Sequence, residues 1–308
     1  MREALWLTAM LATLAALVRA AGRTGVLGVV GGVLAGTLCS FGAWLDAPAP
    51  LRGAYWLGGI VCLCKTLALG RVPRGSIGGG RGLAFLLLWP GIDVARAFVP
   101  DSAARRGRGL ASAALGAGEV LGALGFIALA DRRGWLGTGD YVPAWCRLVA
   151  FGALLDGAAR AVEGLVEATG WRPERVFRAP WKMRDLADFW GERWNRLVGE
   201  TLAMDVFRPT KRRFGRTAAF LLTFFESGVL HEALFRGSAD GPDGRYVVFF
   251  VLHGLAVAET LARRPIPGRS AVIRRAVAWA ILLATAPLFF GGCFPAVMPL
   301  ERVLAGRW

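Results

Sequence analysis

Long apolar stretches alternate with short, basic, polar connections along most of this chain. Stretches near bilayer-spanning length fall at about 4–20, 24–45, 53–70, 82–99, 109–130, 145–168, 216–236, 246–262 and 271–291. A helix rising about 1.5 Å per residue needs about 20 apolar residues to cross the hydrocarbon layer. The pattern therefore predicts an all-α, polytopic membrane protein with eight or nine transmembrane helices, and residues 1–308 read as a single integral-membrane domain. The first stretch is short and 145–168 is polar for a span, so each is expected to sit partly in the interface. Arg2 precedes an apolar run, as in a signal peptide. No small-residue cleavage site follows before Arg19, and further spans come after, so the run is read as the first retained helix.

Region 169–215 breaks the pattern. It is polar and basic, and the positive-inside rule puts it on the cytoplasmic side. The connection near 263–275 is two spans later and also basic, while the loop 237–245 between them carries Asp240 and Asp243; all three agree with that orientation. The first hundred residues show no clear bias. Within the basic region Leu186, Phe189, Trp190, Trp194, Leu197 and Val198 recur at helical spacing, with Asp185, Asp188, Glu192 and Arg196 off that stripe. The spacing predicts one amphipathic helix over about 184–200, lying in the plane of the cytoplasmic interface, where Trp is favoured.

Composition sharpens this picture. The 308 residues are 55% hydrophobic, yet Lys+Arg number 37 against 22 Asp+Glu, a net charge of +15. The mean hydropathy is +0.47. Arg residues spread over many loops, not along one soluble face, and zinc-finger and RNA-binding signatures are absent, so nucleic acid is not the expected partner. Arg at span ends instead snorkels toward headgroups. Cys39, Cys62, Cys64, Cys146 and Cys293 contain no Cys-x-x-Cys pair and read as small buried hydrophobes, with no disulfide framework and no metal site. Gly28, Gly32 and Gly36, and again Gly118, Gly122 and Gly125, are expected to form flat stripes for close helix packing. The run Gly75–Gly80 lacks the Gly-Lys-Ser/Thr of a phosphate loop and reads as a connector.

His231 is the first chemical candidate. It lies in an apolar stretch, where an ionisable side chain is costly and marks a functional site. On a helix its near neighbours are Ser227 and Gly228 at i−4 and i−3. A general base must reach a substrate proton and hold a suitable pKa, and no other residue suits that role as well. Asn195, 36 positions earlier, ends the run Phe189-Trp190-Gly191-Glu192-Arg193-Trp194-Asn195 and supplies a polar partner. The other histidine, His253, reads as packed between helices, with a place in the same cavity left open. A serine nucleophile is not supported, because no Gly-x-Ser-x-Gly elbow occurs. Nor do two His and isolated Cys give zinc-ligand spacing. Lys65 and Glu119 are lone charges in spans, while Asp93 with Arg96 and Asp156 with Arg160 are spaced to pair. A transporter would use such charges as a relay.

Phe189-Trp190-Gly191-Glu192-Arg193-Trp194-Asn195, then Phe207-Arg208-Pro209, then Phe225-Glu226-Ser227-Gly228-Val229-Leu230-His231-Glu232 resembles the wax synthase branch of the membrane-bound O-acyltransferases. The resemblance is specific over about 178–236, the motif-bearing region. Glu226 departs from it, standing where an apolar residue is expected. The resemblance implies transfer of a fatty acyl group from acyl-CoA, a co-substrate with no cofactor, to a lipophilic hydroxyl acceptor within the membrane. His231 would be the general base and Asn195 would orient the thioester or stabilise developing charge. Trp190, Trp194 and Ser227 would line the substrate site, and Arg193, Arg196 and Arg208 would meet the phosphates of coenzyme A, since Arg forks match phosphate geometry. A long-chain alcohol is the acceptor that the branch implies. Another acceptor (a glycan, a polyketide or diacylglycerol) and a non-catalytic transporter remain open alternatives, and the sequence leaves chain length and oligomeric state undetermined.

Overall fold

The computed structural model describes residues 26–44, 49–73, 76–100, 103–136, 141–236, 243–262 and 271–293. The first expected span, 4–20, lies outside them. Among the described residues the regular structure is helical apart from one isolated β-bridge, Pro100 to Trp171. The main helices are α1 (Val26–Trp44), α2 (Ala49–Leu69), α3 (Gly79–Leu87), α4 (Ala103–Arg132), α5 (Tyr141–Ala168), α6 (Arg196–Leu202), α7 (Arg208–His231), α8 (Arg245–Ala262) and α9 (Ala271–Cys293). Three of these contain segments long and apolar enough to cross a bilayer: Gly107–Arg132, Arg245–Ala262 and Ala271–Gly291. Leu110, Leu115 and Leu121 on α4 are 60%, 63% and 68% exposed. Large apolar side chains left open on more than one face of a helix suit a lipid surround, where hydrocarbon and not water is the solvent.

The span expected at 82–99 is not one helix. α3 stops at Leu87, nine residues long, about 14 Å at the standard rise and too short to cross. Pro90 and Gly91 follow after Leu88 and Trp89, and proline disfavours helix in the residue before it. Lys65 of α2 fixes this end. Its buried ammonium donates to the carbonyls of Phe85 (3.0 Å), Leu86 (3.2 Å) and Trp89. A cation here satisfies carbonyls that no helical N–H reaches. Lys65, the lone charge noted in the span at 53–70, thus caps the C-terminal end of α3.

α4 and α5 pack backbone to backbone. A Cβ on Gly116 would stand 2.5 Å from the Ala161 nitrogen, and one on Gly164 would stand 2.4 Å from the Ala113 nitrogen. The expected stripe Gly118, Gly122 and Gly125 is not this contact: nothing lies within 4 Å of a Cβ at any of the three. Gly109 and Gly116, seven residues apart, face α5 instead. Charges line the same seam, where Arg160 pairs with Glu119 (3.0 Å) and Asp156 (3.4 Å), and Arg175 pairs with Glu163 (2.9 Å). Asp93 and Arg96 pair at 3.5 Å.

The single amphipathic helix expected over 184–200 is replaced by a broken path. An α-turn at Leu186–Asp188 runs into a π-helical turn at Phe189–Arg193, the chain bends at Trp194 and Asn195, and α6 begins at Arg196. A second π turn, Ala203–Phe207, leads into α7. The apolar stripe points into the protein: Leu186, Phe189 and Leu197 are buried, with Trp190, Trp194 and Val198 packed against the same core. α7 is itself bent where Gly215 takes φ 82°, a conformation glycine tolerates. The bend divides the basic start of α7 from its apolar second half, one residue before the span expected at 216–236.

Candidate active site

The turn that carries Asn195 is held by Asp188. Its carboxylate accepts from the Arg184 backbone N–H (2.8 Å), the Arg184 guanidinium (2.9 Å) and Arg193 Nε (2.6 Å). Burial would push the Asp188 carboxyl up; the donors from Arg184 and Arg193 outweigh that and hold it at about 2. Arg193 also donates to the Arg178 carbonyl (3.1 Å), and its own carbonyl accepts from the Arg178 N–H (2.9 Å). Phe189 and Trp194 stack at 5.5 Å across the π turn, which closes with Trp194 N–H on the Phe189 carbonyl (2.9 Å). π turns of this kind recur at functional sites.

Asn195 follows with φ 37° and ψ 62°, a left-handed conformation that Asn accepts more readily than most residues. It caps α6: the Val198 N–H meets its side chain at 3.4 Å. An N–H can only donate, so the atom it meets is Oδ1. The Nδ2 hydrogens remain as donors.

His231 closes α7, one residue before a third π turn, Glu232–Arg236. Its Nδ1 lies 2.7 Å from the Ser227 carbonyl. A carbonyl only accepts, so Nδ1 carries the proton and Nε2 carries the lone pair. Among the described residues Nε2 has no hydrogen-bond partner. Rings surround it: Phe250 at 4.5 Å, Phe289 at 5.5 Å, Phe235 at 5.7 Å and Tyr246 at 6.4 Å between centroids. Ser227 therefore contributes through its backbone. Gly228 lets α8 approach, since a Cβ there would stand 2.6 Å from the Val247 Cα. Glu232, 2% exposed, accepts from the Tyr246 N–H at 3.0 Å and so ties the N-terminal end of α8 to the His-bearing turn.

One layer of rings joins the two motifs. Trp190 contacts Phe224 of α7 (5.8 Å) and Phe250 of α8 (5.4 Å), and Phe250 touches His231. His253 is fully buried and packed between helices, and its Nδ1 accepts from the Trp190 indole N–H at 3.0 Å. Arg196 pairs with Glu200 and, at 4.0 Å, with Glu174, while Arg208 is exposed at the start of α7. A cavity of about 350 Å³ lies beside the motif turn, lined by Asp156, Arg160, Glu163, Arg175 and Arg178 among others, and not by Asn195 or His231. Asp188 and Glu232 went unremarked as site residues. Arg184 and Arg193 flanking Asp188 was the one local signal for the first; the second rests on a contact 14 residues away.

Comparison with known proteins bears on the same segment. Residues 171–252 match the membrane bound O-acyl transferase family. A probable long-chain-alcohol O-fatty-acyltransferase of Arabidopsis thaliana is 35% identical over 131 residues, 39% of each chain. The long-chain-alcohol O-fatty-acyltransferase of Simmondsia chinensis is 32% identical over 115 residues, 34% of this chain and 32% of its own. An acyl-CoA–sterol O-acyltransferase of Arabidopsis thaliana is 31% identical over 105 residues, 31% and 30% of the two chains.

Over residues 171–252 the chain is similar to the membrane-bound O-acyltransferases.

The likeness is to the wax synthase-like branch, and with its apolar helices the chain is a membrane protein. It spans 39% of the Arabidopsis relative first described and 32% of the Simmondsia one. Within the matched segment fall Asp188, Trp190, Asn195, Gly228, His231 and Glu232, while His253 and Thr285 lie beyond its end.

Proposed function

We propose that this protein transfers a fatty acyl group from acyl-CoA to the hydroxyl of a long-chain alcohol, through the region 178–236. The observation that carries the reading is the tautomer at His231: a base needs its lone pair on the free nitrogen, and Nδ1–H donation to Ser227 leaves it on Nε2. In the proposed step Nε2 takes the hydroxyl proton as the alcohol oxygen attacks the thioester carbonyl. The C–S bond then breaks, and the leaving thiolate recovers the proton from the imidazolium, giving ester and free coenzyme A. The Asn195 Nδ2 hydrogens donate to the carbonyl oxygen as charge builds on it, a role worth a few kcal/mol of barrier, roughly 10²–10³-fold in rate. Trp194 shapes the acyl side of the site. Arg208, exposed at the start of α7, meets the coenzyme A phosphates on the cytoplasmic side, while Arg193 and Arg196 hold the Asn195-bearing turn and the start of α6.

The transporter alternative draws less support, because Lys65, Asp93, Glu119 and Asp156 each sit in fixed contacts with a carbonyl set or an arginine. The sterol-acylating relative supports a sterol as second acceptor. Purified protein in detergent, given acyl-CoA with a long-chain alcohol or a sterol, is expected to release coenzyme A and form wax ester in preference to steryl ester. Reversed preference would reassign the acceptor; consumption of acyl-CoA with neither ester would remove the proposal.

A further inference from the structure

The chain has two histidines, and their hydrogen bonds give them opposite tautomers. His231 holds its proton on Nδ1, against a carbonyl. At His253 the indole N–H of Trp190 can only donate, so Nδ1 there carries the lone pair. Its proton sits on Nε2, 2.8 Å from the Thr285 hydroxyl oxygen, and Thr285 gives its own hydrogen to the Ile281 carbonyl at 2.7 Å. The bonds run in one direction, from Trp190 through His253 of α8 to Thr285 of α9. Both His253 nitrogens are satisfied and the residue is 0% exposed, so it has no lone pair to offer a substrate. What it fixes is the indole. Trp190 stands five residues before Asn195 and touches Phe224, on the helix that ends in His231, and Phe250, whose ring lies 4.5 Å from His231.

We propose that His253 is a positioning residue: by accepting the Trp190 indole N–H and anchoring on Thr285, it sets the Asn195-bearing turn against the His231-bearing helix. The proposal rests on the acyltransferase reading of those two residues. Near-attack geometry is steep in distance, so a small displacement of the turn lowers turnover and leaves thioester affinity nearly alone.

Asn and Gln separate the two ends of the bridge. An Asn carboxamide overlays the Nδ1 side of imidazole and keeps the acceptor for Trp190. A Gln carboxamide reaches the Nε2 side and keeps only the Thr285 contact. His253→Asn is expected to hold kcat within about threefold, while His253→Gln and Trp190→Phe lower it by about ten- to hundredfold at nearly unchanged KM for acyl-CoA. The double variant should fall no further than either single one. A His253→Gln enzyme as active as wild type beside a dead His253→Asn, or changes confined to KM, would overturn the assignment.

A readout independent of activity comes from ¹⁵N-histidine labelling in detergent, where two imidazoles give two resolvable neutral tautomers. One Nδ1–H and one Nε2–H form are expected, and Trp190→Phe should move the second alone. Two Nδ1–H rings, or an Nε2–H signal unmoved by Trp190→Phe, would overturn the positioning role, while two Nε2–H rings would overturn the His231 assignment. The expected tautomers in a protein that transfers no acyl group would instead overturn the acyltransferase reading.

Discussion

Asn195 carries an acceptor and a donor in one amide. Its Oδ1 starts α6 by accepting the Val198 N–H, and its Nδ2 is left to donate. Aspartate keeps the acceptor and loses the donor. Asn195→Asp is therefore expected to fold and insert like the wild type, yet lower kcat by about 10²–10³-fold, with a smaller change in KM for acyl-CoA. Asn195→Ala loses the cap as well, at a cost of about 1 kcal/mol in stability. Equal unfolding temperatures and equal kcat for the Asp variant and wild type would remove the donor role. Both Asn195 and His231 were legible in the sequence as candidates, because the polar residues stand out against apolar surroundings and sit in recognisable motifs. The use of each atom was not. Which nitrogen of His231 holds the proton depends on the Ser227 carbonyl, and the Trp190–His253 bond joins residues 63 positions apart, a pairing that local spacing does not encode.

At the scale of the elements, the described residues contain three π turns, and two of them adjoin the segments that carry Asn195 and His231. Periodicity could not resolve them. A π turn inserts one residue, and Trp190, Trp194 and Leu197 are large enough to reach the core on either side of the insertion. The long spans at 24–45, 53–70, 109–130, 145–168, 246–262 and 271–291 do coincide with helices, since sustained apolar runs need no exact phase. The expected span at 82–99 failed for a visible reason, Pro90-Gly91, which composition over a long window averages away. Glycine stripes were harder still, because spacing does not tell which face meets a neighbour. That distinction is testable. Gly228→Ala puts a Cβ 2.6 Å from the Val247 backbone and is expected to cost about 1–3 kcal/mol by overpacking, with activity lost alongside as α8 shifts from His231. Gly122→Ala meets nothing within 4 Å and is expected to be neutral or to stabilise by up to about 1 kcal/mol through helix propensity. Thermal unfolding in detergent compares the two; equal effects would contradict the packing described for α7 and α8.

For the whole molecule, a membrane setting agrees with the exposed leucines on α4 and with charges gathered in connections and paired along the α4–α5 seam. The proposed orientation places 185–215 on the cytoplasmic side, where acyl-CoA is water-soluble and reachable. Single cysteines introduced at Asp185 and Lys211 in a cysteine-free background are expected to react with an impermeant thiol reagent only from that side; labelling from the opposite side would overturn the orientation. The central claim, however, is that the neutral imidazole of His231 accepts the alcohol proton through Nε2. Its most direct test is turnover of His231→Ala, followed as coenzyme A release from acyl-CoA with a long-chain alcohol. The account predicts a fall of about 10²–10⁴-fold in kcat in protein that stays folded and membrane-inserted. Near-wild-type turnover in that variant would contradict it.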